Sequence, residues 1–485
     1  VREREIVVVD VLLTHSYHLY FDRKQIRKMQ PYPPLGTLYA AALLRDNGFS
    51  VSLFDSMLEN PEEQFAGTVA RTRPRVVAIF EDNFNFLSKM CLSRMRQIAF
   101  QMIGEAKASG ARVVVNGSDA SDHCEEYLER GADFVLMGEA EWTLLELMES
   151  LLERSCRRPE DVSGLACLAE SRRSILRTPP RALMDSLDQL PFPARDLSPI
   201  EQYKTAWRKA HGYFSLNLVA SRGCPYKCNW CAKPIYGNSF NVRSPESVAM
   251  EMLELRDRHG ADHLWFADDL FGIQRHWVQE LADRVDALRA AVPFKMQSRV
   301  DLMDEENVRA LKRAGCSEVW MGVESGSQKI LDAMEKGTRT GQAERATERL
   351  QSHGIRPCFF LQFGYPGETW EDIQKTIQLV RDARPYDIGV SVSYPLPGTT
   401  FHARVQSQLG VKENWVDSED LSMMFKGAYQ SEFYRALHDA LHAEVESWRF
   451  KECGNRAEAL WARVFALEET CRNADATEIP AWICS

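Results

Sequence analysis

The sequence predicts an α/β protein, with two successive domains of alternating strands and helices followed by a helical tail. Three observations point there. Over residues 1–155, five short apolar runs alternate with helical patterns. Over 206–412, six more do so at intervals of about one βα unit. Between the two series, four prolines fall within the fifteen residues 179–193. The 485 residues exceed one core and suffice for two or three domains.

In the first series, 5–11, 51–54, 76–80, 112–115 and 134–137 read as strands. Helical patterns occupy 34–47, 86–108, 121–130 and 141–152, with a weaker one at 62–70. Such alternation gives an open, doubly wound parallel sheet covered on both faces. Ligands of these sheets bind beyond the carboxyl ends of the strands. The loops at that edge are 14–21, 81–84, 116–119 and 138–139. The connection 156–205 begins with a possible hairpin, 164–170 against 174–177. It continues as a proline-rich, semi-rigid stretch through Leu190-Pro191-Phe192-Pro193-Ala194-Arg195-Asp196.

In the second series the strands are expected at 214–220, 263–267, 294–300, 318–323, 358–363 and 387–393. Amphipathic helices are expected at 245–259, 275–290, 305–314, 343–353 and 370–383. The tail, 413–485, holds two further helices, 430–450 and 456–470, rich in aromatic residues. They are expected to close the open side of the second domain.

Composition limits the partners. A hydrophobic content of 45% and a charged content of 26% are those of a soluble globular chain, and a net charge of -10 argues against nucleic acid. No apolar run reaches membrane-spanning length and no signal peptide is visible at Val1-Arg2-Glu3, so a cytoplasmic location is expected. Nine of the 12 cysteines are scattered singly, unlike a disulfide framework.

The other three form Cys224-Pro225-Tyr226-Lys227-Cys228-Asn229-Trp230-Cys231, on the loop after the first strand of the second series. Thiolates clustered on one loop can face a single soft metal centre. No fourth cysteine or histidine lies nearby; His259, on an expected helix, is the nearest downstream. The plainer alternative is a zinc knuckle with a remote fourth ligand, or chance clustering of buried cysteines.

This C-x3-C-x2-C spacing, with Trp230 before the last cysteine, resembles the radical S-adenosylmethionine (radical SAM) enzymes. The resemblance implies a 4Fe-4S cluster held by Cys224, Cys228 and Cys231, whose open iron chelates SAM. It also implies that the second series is a partial (β/α)6 TIM barrel, with functional residues at strand C-termini. The expected SAM contacts are Tyr226 and Trp230 beside the cluster, Asp268 of the pair Asp268-Asp269, and Gln297 and Arg299, the latter bidentate to the SAM carboxylate. Glu324 and Ser325 of Gly322-Val323-Glu324-Ser325-Gly326-Ser327 complete them. Gly364-Tyr365-Pro366-Gly367-Glu368-Thr369 and Tyr394-Pro395-Leu396-Pro397-Gly398-Thr399 are also familial. Each residue alone is as well explained by a helix cap or a salt bridge; the order of six strand ends is not.

The first domain resembles the cobalamin-binding domain that precedes many radical SAM cores, a flavodoxin-like Rossmann fold. Pro33-Pro34-Leu35-Gly36, Asn116-Gly117-Ser118 and Gly138-Glu139-Ala140-Glu141 bear the likeness. Expected cobalamin contacts are Thr14, Ser16, Leu35, Gly36, Glu81, Asn83, Asn116, Gly117, Ser118, Gly138 and Glu139. The chain departs from the Asp-x-His-x-x-Gly pattern of domains that supply a histidine to cobalt. Asp10 is followed by His15 and His18 at other spacings, so cobalamin without a histidine ligand is expected.

Together these features describe a cobalamin-binding radical SAM enzyme. Its best-supported outcome is methylation of an unactivated carbon of a small-molecule or lipid-like substrate. By resemblance, a donor such as flavodoxin or ferredoxin reduces the cluster, SAM yields a 5′-deoxyadenosyl radical that abstracts hydrogen, and methylcobalamin supplies the methyl group. Cyclisation, oxidation or carbon–carbon coupling on the same scaffold are the rivals. A non-catalytic iron–sulfur redox sensor is a third reading, for which the chain shows no basic output helix.

Overall fold

The computed structural model describes residues 8–85, 92–169, 174–410, 415, 421–449 and 454–472. Contacts group these into two compact units. One is built on 8–224 and 233–267, the other on 225–232, 268–410 and the C-terminal helices.

The first sheet comprises β1 (Val11–Thr14), β2 (Val51–Phe54), β3 (Val76–Phe80), β4 (Arg112–Asn116), β5 (Phe134–Leu136), β6 (Leu165–Leu168) and β7 (Ile175–Arg177). Their order is β2-β1-β3-β4-β5-β6-β7, and β1 to β5 pair in parallel. The winding reverses between β1 and β3, the switch point at which doubly wound sheets hold ligands. Both faces are covered. Val11, Leu13, Val76 and Ala78 join the core beneath the helices Leu35–Asp46 and Glu141–Leu151. Leu12, Val77 and Ile79 face the opposite layer, with Phe65, Ile98 and Met102. Burial on both sides is why these strands read as unbroken apolar runs.

Three expectations need correction. The first strand is Val11–Thr14 rather than 5–11, of which 5–7 lie outside the described residues. The apolar run before it is misleading: Val8 is 66% exposed, Val9 N–H donates to Thr72 and Asp10 accepts from Ser50. Helix 121–130 is two short helices, Ser118–Asp122 and Cys124–Glu129. The hairpin of the connection exists, but β6 pairs antiparallel with β5, so it extends the first sheet. The long helix after β3 runs Ser93–Ala108; its expected start at 86–91 lies outside the described residues.

The second sheet is formed by β8 (Ser215–Leu218), followed after the ribbon β9 (Ser221–Arg222) and β10 (Asn241–Val242) by β11 (His263–Phe266), β12 (Phe294–Ser298), β13 (Cys316–Glu324), β14 (Arg356–Phe363) and β15 (Asp387–Val392). Its six strands lie in chain order, and every register given, β8 with β11 and β12 through β15, is parallel. The intervening helices match expectation; Trp370–Ala383 opens with a capping box between Thr369 and Asp372. Helix Ile200–His211, at the end of the proline-rich connection, was not foreseen. In the tail, Ser431–Ser447 packs on β15, the last strand of the sheet, and against Gly454–Thr470. Among the described residues no helix is long and apolar enough to cross a membrane.

Candidate functional site

The cysteine loop starts from the β9–β10 ribbon, where Arg222 pairs with Asn241. Gly223 follows in the left-handed region, at φ 81, and a Cβ there would lie 2.4 Å from the Ser239 carbonyl oxygen. Only glycine fits such a place without displacing backbone. Lys233 Nζ donates to the Cys224 carbonyl at 2.9 Å, so the first cysteine is held from both sides.

In the second unit, Asn229 fixes the segment of Cys228 and Cys231. Its side-chain N–H donates to Ala333 O at 2.8 Å and Glu335 Oε1 at 3.1 Å, and its oxygen accepts from Tyr365 OH at 2.9 Å. Its backbone bonds Met334 O and the Phe401 N–H. Asn229, which has no assigned role in the sequence motif, is the anchor of that stretch. Trp230 packs against the apolar cluster containing Met334, Tyr365 and Phe401, and its indole N–H is buried without a partner.

Two cations lie near Cys228. The Arg299 guanidinium stacks 3.8 Å from the Tyr226 ring centre. Its Nε and Nη2 donate to both oxygens of Asp301, at 2.9 and 3.0 Å, and Nη1 donates to Lys336 O at 2.9 Å. The bidentate partner of Arg299 is therefore Asp301, where a SAM carboxylate was expected. Burial works to lower the Arg299 pKa, but Asp301, with Cys228 and Tyr226, raises it overall. Lys336, which sequence reasoning missed, donates to Glu324 Oε1 at 2.7 Å; both side chains are about 6–7% exposed. Burial opposes the Lys336 charge, yet Glu324 and then Cys228 hold its pKa above the ordinary value.

Glu324 sits at φ 64, where the register of β13 against β14 slips. A non-glycine residue there is strained and persists only where its surroundings fix it. Ser325, expected beside SAM, turns its hydroxyl to Thr376 and accepts from the Ser327 N–H, which ties β13 to the helix Trp370–Ala383. Asp268 is buried and Gln297 half-buried, both at strand C-termini. Among the described residues no three His, Cys, Asp or Glu side chains are close enough to share one ion. A 4Fe-4S cluster does not require that, since it spreads its thiolates over separate irons.

At the carboxyl edge of the first sheet, the expected residues do converge. Glu81, buried, accepts from the Ser16 N–H with both oxygens, at 3.1 and 3.2 Å. Burial raises its pKa despite His15 and Ser16. A Cβ on Gly117 would meet Glu81 Cγ at 2.7 Å, so this turn also requires glycine. Asp82 accepts from the Gly36 N–H at 3.0 Å and so closes the start of helix Leu35–Asp46, a role the sequence did not reveal. Asn83 Nδ2 donates to Asn116 Oδ1 at 3.0 Å, and Asn116 Nδ2 donates to Leu136 O at 3.0 Å. Asn83 Oδ1 and Ser118 Oγ remain buried without a partner, as polar atoms awaiting a ligand would be. Thr14, Leu35 and Gly138 lie along the same edge. Glu139, expected to face cobalamin, instead receives Arg222 on one oxygen and the Met184 N–H on the other, both at 2.7 Å.

Neither loop histidine is idle. His15 Nε2 lies 3.2 Å from Asp55 Oδ1 and its Nδ1 3.2 Å from Ser56 Oγ. Asp55 also accepts from Ser198 and Tyr203. His18 Nδ1 bonds Ser56 O at 2.7 Å, and burial lowers its pKa.

Residues 29–148 match the B12 binding domain and 218–380 the radical SAM superfamily. An uncharacterized methyltransferase of Pyrococcus horikoshii is 26% identical over 425 residues, spanning 83% of this chain and 88% of the relative. The hopanoid C-3 methylase of Methylococcus capsulatus is 26% identical over 383 residues, 76% of this chain and 67% of that protein. The fold is shared with the radical SAM methyltransferase TsrM of Kitasatospora setae, solved with cobalamin and a 4Fe-4S cluster bound: TM-score 0.66, 20% identity, 84% of this chain and 75% of that one.

Proposed function

We propose that this chain, in which residues 29–148 match the B12 binding domain and 218–380 the radical SAM superfamily, is a cobalamin-dependent radical SAM enzyme that methylates an unactivated carbon of a small-molecule or lipid-like substrate. The cofactors of the family are a 4Fe-4S cluster, SAM and cobalamin; when bound, they supply reductive SAM cleavage, hydrogen-atom abstraction and the methyl group. The chain's own residues provide binding, charge balance and exclusion of water.

The observation behind the reading is the built cysteine loop, with Tyr226 stacked against the buried Arg299 and Asn229 anchoring the segment of Cys228 and Cys231. In this reading Cys224, Cys228 and Cys231 hold the cluster as thiolates, and Tyr226, held flat under Arg299, walls one side. Lys336 and the β-bulge fix Glu324, whose second oxygen is available to the amino group or ribose of SAM. Asp268 and Gln297 offer further polar contacts. At the first sheet, Asn83 Oδ1 and Ser118 Oγ suit the amide and phosphate groups of cobalamin. With both ring nitrogens of His15 engaged, cobalt would receive no ligand from that histidine. A small reductant of flavodoxin or ferredoxin type and a cytoplasmic location belong to the same reading.

The test is product analysis on anaerobically reconstituted protein loaded with hydroxocobalamin. Methyl transfer should form S-adenosylhomocysteine together with 5′-deoxyadenosine; cyclisation, oxidation or coupling would form only the latter. Cys228→Ala should lose the cluster and all 5′-deoxyadenosine, and a variant that retained full production would overturn the ligand assignment.

A further inference from the structure

Within the first unit a buried charge cluster joins the cysteine loop to the edge of the first sheet. The Arg222 side chain is 3% exposed, and those of Glu139 and Glu141 are 5% and 4%. Arg222 Nη1 donates to Glu139 Oε1 and Nη2 to Glu141 Oε1, both at 2.7 Å. Its guanidinium carbon lies about equally far from three aromatic rings, 5.5 Å from Tyr39 and 5.4 Å from Phe84 and Tyr236. The head group is thus gripped from its edge by two carboxylates and from its faces by π-systems, a fit that the planar fork of arginine allows and an ammonium does not.

The location makes this more than packing. Arg222 precedes Cys224 by two residues, across a glycine that cannot accept a side chain. Glu139 and Glu141 begin the turn and helix after β5, beside Gly138. A buried ion cluster is a poor source of stability compared with apolar side chains of the same volume, whereas it fixes position closely. We infer that Arg222 is a positioning residue: clamped by Glu139 and Glu141, it sets the place of Cys224, the one cysteine of the three in this unit, at the edge of the first sheet. The inference rests on the reading of Cys224 as a cluster ligand.

Arg222→Lys keeps the charge but cannot bridge both carboxylates, and Glu141→Gln keeps the shape but halves the ionic grip. Full-length wild type and both variants are reconstituted anaerobically with iron, sulfide and hydroxocobalamin. Iron and cobalt per protein, the electron paramagnetic resonance spectrum of the reduced cluster with and without SAM, and 5′-deoxyadenosine formation at saturating SAM are then measured. Positioning predicts iron and cobalt contents equal to wild type, altered g-values in the presence of SAM, and 5′-deoxyadenosine formation at least tenfold slower in Arg222→Lys. The dissociation constant of SAM should change less than threefold, and Glu141→Gln should fall between Arg222→Lys and wild type. Wild-type spectra and rates in Arg222→Lys would overturn the inference. So would a variant of either kind that folds but binds no iron, since that would make the cluster of charges a requirement for assembly. A wild-type protein that takes up no cluster would instead refute the functional reading itself.

Discussion

Replacement of Lys336 by methionine removes the cation 2.7 Å from Glu324 and leaves the carboxylate in a site where both partners are nearly sealed from water. Breaking a buried pair by deleting one member costs about 3–5 kcal/mol, because the survivor is left without compensation. Glu324 is also held at φ 64, a conformation worth roughly 1–2 kcal/mol of strain that the ion pair helps to impose. Opening of the β13–Lys336 region should therefore become easier by about 3–5 kcal/mol, or a hundred- to several-thousand-fold in amide protection. Hydrogen exchange followed by mass spectrometry, on peptides covering residues 316–340 of the cluster-free protein, reads this locally and needs no assumption that a two-unit chain unfolds in one step. The double variant Glu324→Gln with Lys336→Met removes both charges and should recover a large part of the loss, with a coupling of about 2 kcal/mol or more. If Lys336→Met changes protection less than threefold, or if the two substitutions simply add, the pair does not hold the bulge and the argument fails.

Other outcomes follow from the same contacts. Gly223→Ala puts a Cβ 2.4 Å from the Ser239 carbonyl at a positive φ, so it should lose more than half the reconstituted iron while the far-ultraviolet circular dichroism is unchanged; full iron content would refute the close approach. Asn229→Ala strips three side-chain bonds from the loop and strands the Ala333 carbonyl and Tyr365 hydroxyl on weaker partners, a loss of about 1–3 kcal/mol visible as a lower apparent melting temperature and reduced iron uptake. Glu368 offers a pH test. Burial lifts its carboxyl from 4.5 to about 8, so between those values the folded chain keeps a proton that the unfolded chain has released. The associated stability is complete below pH 4.5 and declines as pH rises toward 8, by about 1.4 kcal/mol per unit at most. Glu368→Gln lacks this decline, so thermal melts should show the variant gaining on wild type between pH 5.5 and 8.5; a constant difference would refute it.

Much of this architecture was legible because strands buried on both faces announce themselves as unbroken apolar runs, and because Cys224, Cys228 and Cys231 are close in sequence. The same signal misled at the first strand. The run ending at Val9 is as apolar as the true strand, and only the register with Val51 and Val76 shows where pairing begins. The hairpin β6–β7 was visible, but its attachment to β5 is a pairing between distant segments that no local pattern records. Site residues divide in the same way. Turn glycines and strand-end acids could be placed from their neighbours in sequence. Arg222 with Glu139, Lys336 with Glu324, and Asn229 with Tyr365 are partners 83, 12 and 136 residues apart, and each reads alone as an ordinary polar residue. Asn229 was overlooked for a further reason: between two cysteines it looks like filler.

The hairpin β6–β7 also bears on how the protein behaves when crowded. An uncapped parallel sheet offers a free row of N–H and C=O groups to any passing strand, including the same strand of another copy. Here β6 turns that margin antiparallel, and β7 extends it by only three residues, the last of them Arg177, which leans on Glu125 and Cys124. A rim so short, ending in an arginine, is a poor template for recruitment. The segment that looked like a tether between domains thus acts as a selvedge, keeping the margin of the B12-binding sheet from fraying into edge-to-edge polymer.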